Sequence, residues 1–153
     1  MAQALHAPAP SQILLAVAPD VVPRMTRILS GHHVTTVGSI AEAQEALAAS
    51  QQHFELIVLG VTFDESQMFE LLAHVRSLER YKATPVLCVL GAASRITEVS
   101  VEAIDRAAKA LLANAFLWLA KFPDDEQGNA RIRRIADYLI LIDGDMHHGV
   151  QST

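Results

Sequence analysis

Cysteine is nearly absent. Cys88 is the single one among 153 residues, so no internal disulfide can form, which fits a reducing cytoplasm. It lies inside the apolar run PVLCVL and reads as a core residue. Long hydrophobic runs are also missing. Nothing approaches the ~18 uninterrupted apolar residues of a spanning helix, and the richest stretch, ALLANAFLWLA, is broken by Asn114. The start, MAQALHAPAPSQ, has no basic region followed by a long apolar one, so no signal peptide is expected. No G-x-G-x-x-G or Walker sequence occurs, and Ser11, Ser30 and Ser50 have no nucleophile-elbow context. Basic residues are scattered, with one small cluster at Arg131, Arg133 and Arg134. With a net charge of -5 this argues against direct nucleic-acid binding. The seven histidines include the pairs His32-His33 and His147-His148. Neither pair has i, i+4 spacing, so no metal site is expected.

What is present is apolar and periodic. A hydrophobic share of 51% in a chain this long suits one domain with a real core. ILLAV (13–17) is a short apolar run suited to a strand covered on both faces. Asp20 reads as the cap of the helix in VVPRMTRILS, where Pro23 is tolerated in the first turn and Gly31 ends it. HHVTTVG is rich in β-branched residues and reads as strand two. Ser39 and Glu42 form an S-x-x-E capping box for the helix AEAQEALAAS. FELIVLG reads as strand three. A third helix is expected from about Ser66, with Met68, Leu71, Leu72, Val75 and Leu78 on one face.

PVLCVLG reads as strand four, TEVSVEAIDRAAKALLA as a long fourth helix, and FLWLAK as strand five. Asp124, Asp125 and Glu126 suit the positive end of a last helix, whose apolar face is Ile132, Ile135, Ala136, Leu139 and Ile140. Five strands alternating with five helices imply parallel βαβ units and, with right-handed crossovers, a doubly wound sheet. The alternation does not by itself choose among doubly wound orders, of which 2-1-3-4-5 is one. The expected division is a flexible leader at 1–11, one domain at 12–142 and a flexible tail at 143–153.

Residues 55–72, ELIVLGVTFDESQMFELL, carry a more specific signal. With MFELLAHVR continuing to Arg76, they resemble the centre of a bacterial response-regulator receiver domain, in which strand three ends in a phospho-accepting aspartate. The resemblance covers roughly 12–142. It implies a flavodoxin-like three-layer α/β sandwich, a five-stranded parallel sheet in the order 2-1-3-4-5 with helices on both faces. It also puts Gly60 at the aspartate position. After strand one the family's magnesium-binding acidic pair falls on Val17 and Ala18, neither of which can ligate a hard cation. The hydroxyl residue after strand four falls on Leu90.

AFLWLAKF resembles the family's segment after strand five. That register puts Asn114 at a family glycine, where Asn tolerates a left-handed helix end. It puts Trp118 at the aromatic switch position, Lys121 at the family lysine and Phe122 at the usual proline. A register shifted by two would instead put Leu119 at the lysine position. Lys121 follows Leu90 by 31 positions, more than receivers usually need, so helix four is expected to be lengthened.

The resemblance thus implies a pseudo-receiver. Such a chain is expected to be no enzyme, to hold no cofactor or metal, and to act in the bacterial cytoplasm as a protein-interaction module in signalling or transcriptional control. A protein partner or a second copy is expected on helix four, strand five and helix five, with Trp118, Tyr138 and Leu141 as contact residues. Three alternatives stand beside it: a receiver with its acceptor relocated to Asp64, a small-ligand or flavin-binding enzyme of the same architecture, and a structural subunit of a larger assembly.

Overall fold

The computed structural model describes residues 9–152, with side chains to 143. Most of the leader expected at 1–11 lies outside the described residues. Five short strands, β1 (Gln12–Ala16), β2 (His33–Thr36), β3 (Leu56–Gly60), β4 (Val86–Leu90) and β5 (Ala115–Trp118), form one sheet. They are parallel and ordered β2-β1-β3-β4-β5. The helices are α1 (Val22–Ile28), α2 (Ile40–Ala48), α3 (Met68–Ser77), α4 (Glu98–Ala110) and α5 (Glu126–Ser152). The fold class and strand order are those expected. Among the described residues no helix is long and apolar enough to cross a membrane.

The strands are apolar throughout because both faces are covered, and successive side chains point to opposite layers. Leu14, Ala16, Ile57, Leu59, Cys88 and Leu90 face one layer with Leu47 of α2, Leu71, Leu72 and Val75 of α3, and Val101 and Ala108 of α4. Ile13, Leu15, Val58, Leu87, Val89 and Leu117 face the other with Met25 and Ile28 of α1 and Ile132, Ala136 and Leu139 of α5. Cys88 is fully buried, and desolvation pushes its thiol up to about 12, so at neutral pH it is an inert core residue.

The caps explain where the helices start. Ser39 Oγ accepts from Glu42 N at 3.1 Å, while Glu42 reaches back to Gly38 N at 2.7 Å, one residue earlier than in the usual box. Asp125 accepts from Gly128 N at 2.8 Å and so caps α5. A Cβ at position 128 would lie 2.0 Å from the Pro123 carbonyl oxygen, so only glycine fits there.

Several local expectations need correction. Asp20 does not cap α1: the cap position is Val21, with no side-chain cap bond. The third helix starts at Met68, because Asp64, Glu65 and Ser66 all have positive φ. The left-handed residue after α4 is Leu112 (φ 72), not Asn114. Asn114 is used otherwise: its Oδ1 accepts from Val86 N at 2.9 Å and from Arg76 at 3.0 Å, so it joins the starts of β4 and β5. Strand five stops at Trp118, and Leu119–Lys121 form a 3-10 turn. The stretch read as one lengthened helix divides into an irregular connection, 91–97, and the 13-residue α4. The last helix runs to Ser152, past the expected boundary at 142.

Candidate functional site

The carboxyl ends of parallel strands are where ligands bind in doubly wound folds. Here the ends of β1 and β3 meet in apolar contact, and a cleft opens beside them between the segments that follow β1, β4 and β5. β1 and β3 are hydrogen-bonded neighbours, with Ala16 beside Leu59, so the next residues, Val17 and Gly60, meet. A Cβ at position 60 would lie 3.0 Å from Val17 Cα and 3.1 Å from Val17 Cβ. Val17 is 2% exposed, Ala18 9% and Leu90 fully buried. Leu90 belongs to the layer of α2 to α4 and Val17 to the layer of α1 and α5. A side chain at position 60 would press on Val17, which would have to give way by a few tenths of an ångström. Among the described residues no group of three His, Cys, Asp or Glu could hold a metal ion.

Lys121 does not join this cluster. It is largely exposed, its Nζ lies 3.6 Å from Glu98 at the start of α4 and 5.0 Å from the centre of the Trp118 ring. Trp118 is partly buried against the α2–α4 layer, and its indole N–H finds no acceptor among the described residues. Tyr138 and Leu141 are 62% and 61% exposed on α5. The site residues read from the sequence therefore fall into three places: the strand ends, the Trp118–Lys121–Glu98 cluster and the outer face of α5.

Asp64 is already occupied. Its Oδ2 accepts from Ile40 N at 2.8 Å, the first amide of α2, where the helix dipole favours a carboxylate. This contact holds the turn Phe63–Ser66, whose Phe63 side chain is buried in the α2–α4 layer.

Two polar clusters lay beyond local sequence reasoning. Arg24, 8% exposed, donates to Asn129 Oδ1 at 2.9 Å and to the carbonyls of Phe122 and Pro123 at 2.7 and 3.1 Å. Arg27 pairs with both oxygens of Asp124 at 3.3 Å. Hydrogen bonds from Arg27 and Asn129, aided by the charges of Arg27 and Arg24, hold the Asp124 carboxyl below the usual carboxylate range. These residues border a cleft of about 290 Å³ with Asp20, Val21, Ala92, Ala93 and Leu119. The available signal was Arg24 lying in the same apolar stripe as Val21, Met25 and Ile28. In the second cluster, buried His32 accepts from Ser11 N at 3.0 Å and sits 3.1 Å from Asp137, which also pairs with Arg133. His32 is thus held between the start of β1 and α5.

Comparison with known proteins places this architecture. No family model matches the chain, and no curated protein matches it. Solved structures do. The phosphorylated cyanobacterial phytochrome response regulator RcpA is similar over 90% of this chain and 91% of its own, with TM-score 0.60 and 19% identity. The chemotaxis response regulator CheY4 of Vibrio cholerae is similar over 83% and 98%, with TM-score 0.61 and 23% identity. NtrX from Brucella abortus, in complex with ADP, is similar over 94% of this chain but 30% of its own, with TM-score 0.73 and 19% identity. The fold is that of response-regulator receiver domains.

Proposed function

We propose that this chain is a pseudo-receiver: a non-enzymatic protein-interaction module of bacterial, cytoplasmic signal transduction that accepts no phosphoryl group. The observation that carries this reading is the make-up of the strand ends, where Gly60 lies against Val17 and Leu90 is fully buried. Phosphoryl transfer needs an acceptor oxygen and a cation to neutralise developing charge. Gly60 offers no acceptor, and Val17, Ala18 and Leu90 offer no cation ligand or hydroxyl. Among similar structures RcpA is phosphorylated; the residues here speak for a relative that kept the fold and left that chemistry. With no switch at the strand ends, its output is binding, and the exposed apolar residues of α5 are the surface it offers.

The relocated-acceptor alternative is disfavoured by the engagement of Asp64 with the start of α2. The small-ligand alternative is disfavoured because three of the four charged groups lining the cleft beside α1 are already paired: Arg24 with carbonyls, Arg27 with Asp124. The test is intact mass after incubation with acetyl phosphate and magnesium. No gain of a phosphoryl group is expected. An acid-labile adduct would overturn the reading, and its position would tell Asp64 from any other acceptor.

A further inference from the structure

A groove runs between the segment that follows β5 and the outer face of α5. It measures about 360 Å³ and is lined by Phe122, Arg131, Arg134, Ile135 and Tyr138. That volume falls within the range of small-molecule sites, about 300–1,000 Å³. Arg131, Arg134 and Tyr138 follow one another at three and four residues, so they share one face of the helix. All three are exposed. Phe122 and Ile135 are partly buried against the layer of α1 and α5 and form the floor. Among the described residues no carboxylate lines the groove.

Its charge sets it apart in a chain of net charge -5. The arginines beside α1 are matched: Arg27 pairs with Asp124, and Arg24 has the same carboxylate at 3.6 Å. Arg133, between the two groove arginines in sequence, pairs with Asp137. Arg131 and Arg134 have no acid within 4 Å among the described residues. Like charges one turn apart on a helix repel, and a bound anion would offset that repulsion. Each guanidinium is a planar fork of N–H donors that matches a phosphate in pairs of bonds. The rings add a second requirement. Arg131 lies over Phe122, 5.0 Å from the ring centre, and a guanidinium plane is a surface on which an aromatic base stacks. Tyr138 is 62% exposed and stands one turn beyond Arg134, about 6 Å along the axis at 1.5 Å per residue. That is close to the offset of phosphate from base in a mononucleotide. A lone anion would leave the rings unused, and an uncharged ring would leave the arginines unpaired.

We propose that this groove binds a nucleoside monophosphate, with the phosphate between Arg131 and Arg134 and the base against Tyr138 and the Arg131–Phe122 stack. This goes beyond the reading of the strand ends. The phosphate is held here and not transferred, so mass labelling and the following experiment fail independently.

Isothermal titration of the full chain with adenosine and guanosine 5′-monophosphate is expected to show one site for either, since ring and phosphate are read and base edges are not. Adenosine and inorganic phosphate, the two halves, should each bind at least tenfold more weakly. Arg131→Ala with Arg134→Ala should weaken nucleotide binding at least thirtyfold, with circular dichroism unchanged. Arg131→Lys with Arg134→Lys keeps the charge, loses the fork and should weaken it at least fivefold. Tyr138→Leu, apolar without a ring, should also weaken it at least fivefold and leave the weak binding of inorganic phosphate as it was. Inorganic phosphate binding as tightly as the nucleotides would reduce the groove to an anion patch and overturn the proposal. So would the absence of heat from both nucleotides at millimolar concentration. Displacement of the nucleotide by an acidic peptide or a single-stranded oligonucleotide at tenfold lower concentration would assign the groove to a macromolecule, and would overturn it too.

Discussion

At the residue scale, the proposed reading turns on four positions, Gly60, Val17, Ala18 and Leu90, where the resemblance puts the acceptor, the acid pair and the hydroxyl. Their side chains are legible in the sequence without any three-dimensional information. What the sequence could not convey is how they pack against one another. That depends on β1 lying beside β3, which sets Val17 against Gly60. The consequence is testable. Gly60→Asp places a Cβ within about 3 Å of Val17 backbone and a carboxyl in an apolar layer. Overpacking costs about 1–3 kcal/mol, and an unpaired buried polar group adds to it. Gly60→Asp is expected to lower stability in urea by about 3 kcal/mol or more, against about 1–2 kcal/mol for Gly60→Ala. It should gain no phosphate from acetyl phosphate and magnesium, because no cation ligands stand beside it. Efficient labelling of this single variant would show that Val17 and Ala18 are not the vacated metal positions.

At the element scale, the alternation of strands and helices was legible because apolar periods of 2 and 3.6 are local properties. The errors arose where a distant partner decides the local conformation. Asn114 looked like a left-handed helix end, but its side chain is drawn to Val86 and Arg76, and Leu112 takes the strained position, its carbonyl held by Arg76 at 2.8 Å. Arg24 meets partners about a hundred residues away, which no window on the sequence can reveal. The turn after β3 is a similar case. Asp64, Glu65 and Ser66 have φ of 45, 58 and 64°, a run that costs L residues roughly 1–2 kcal/mol each. It persists because Phe63 is buried and Asp64 caps α2. Ser66 is exposed and makes neither contact, so Ser66→Gly relieves strain without removing an anchor. Allowing for the greater entropy of an unfolded glycine, it should stabilise the chain by about 0.5–1 kcal/mol in a urea titration. A loss of stability would mean that Ser66 holds the turn through a contact of its own.

At the scale of the whole molecule, a phosphate switch needs two arrangements that a phosphoryl group binds unequally. Val17 and Leu90, at the ends of β1 and β4, are buried in opposite apolar layers, and neither can take a charge. Lys121, the one cation the resemblance placed there, is engaged with Glu98 and the Trp118 ring, at the edge where α4 begins. On the proposed reading, an added phosphoryl donor or divalent cation should therefore leave the molecule unchanged. The midpoint of urea unfolding should be the same with and without acetyl phosphate and magnesium, since a ligand shifts an equilibrium only by its differential affinity for the two states. Amide exchange in β3, β4 and the 91–97 connection should likewise be unchanged. A shifted midpoint, or protection appearing at the strand ends, would mean that a phosphoryl or cation site exists and that the packing of Val17 on Gly60 opens to admit it.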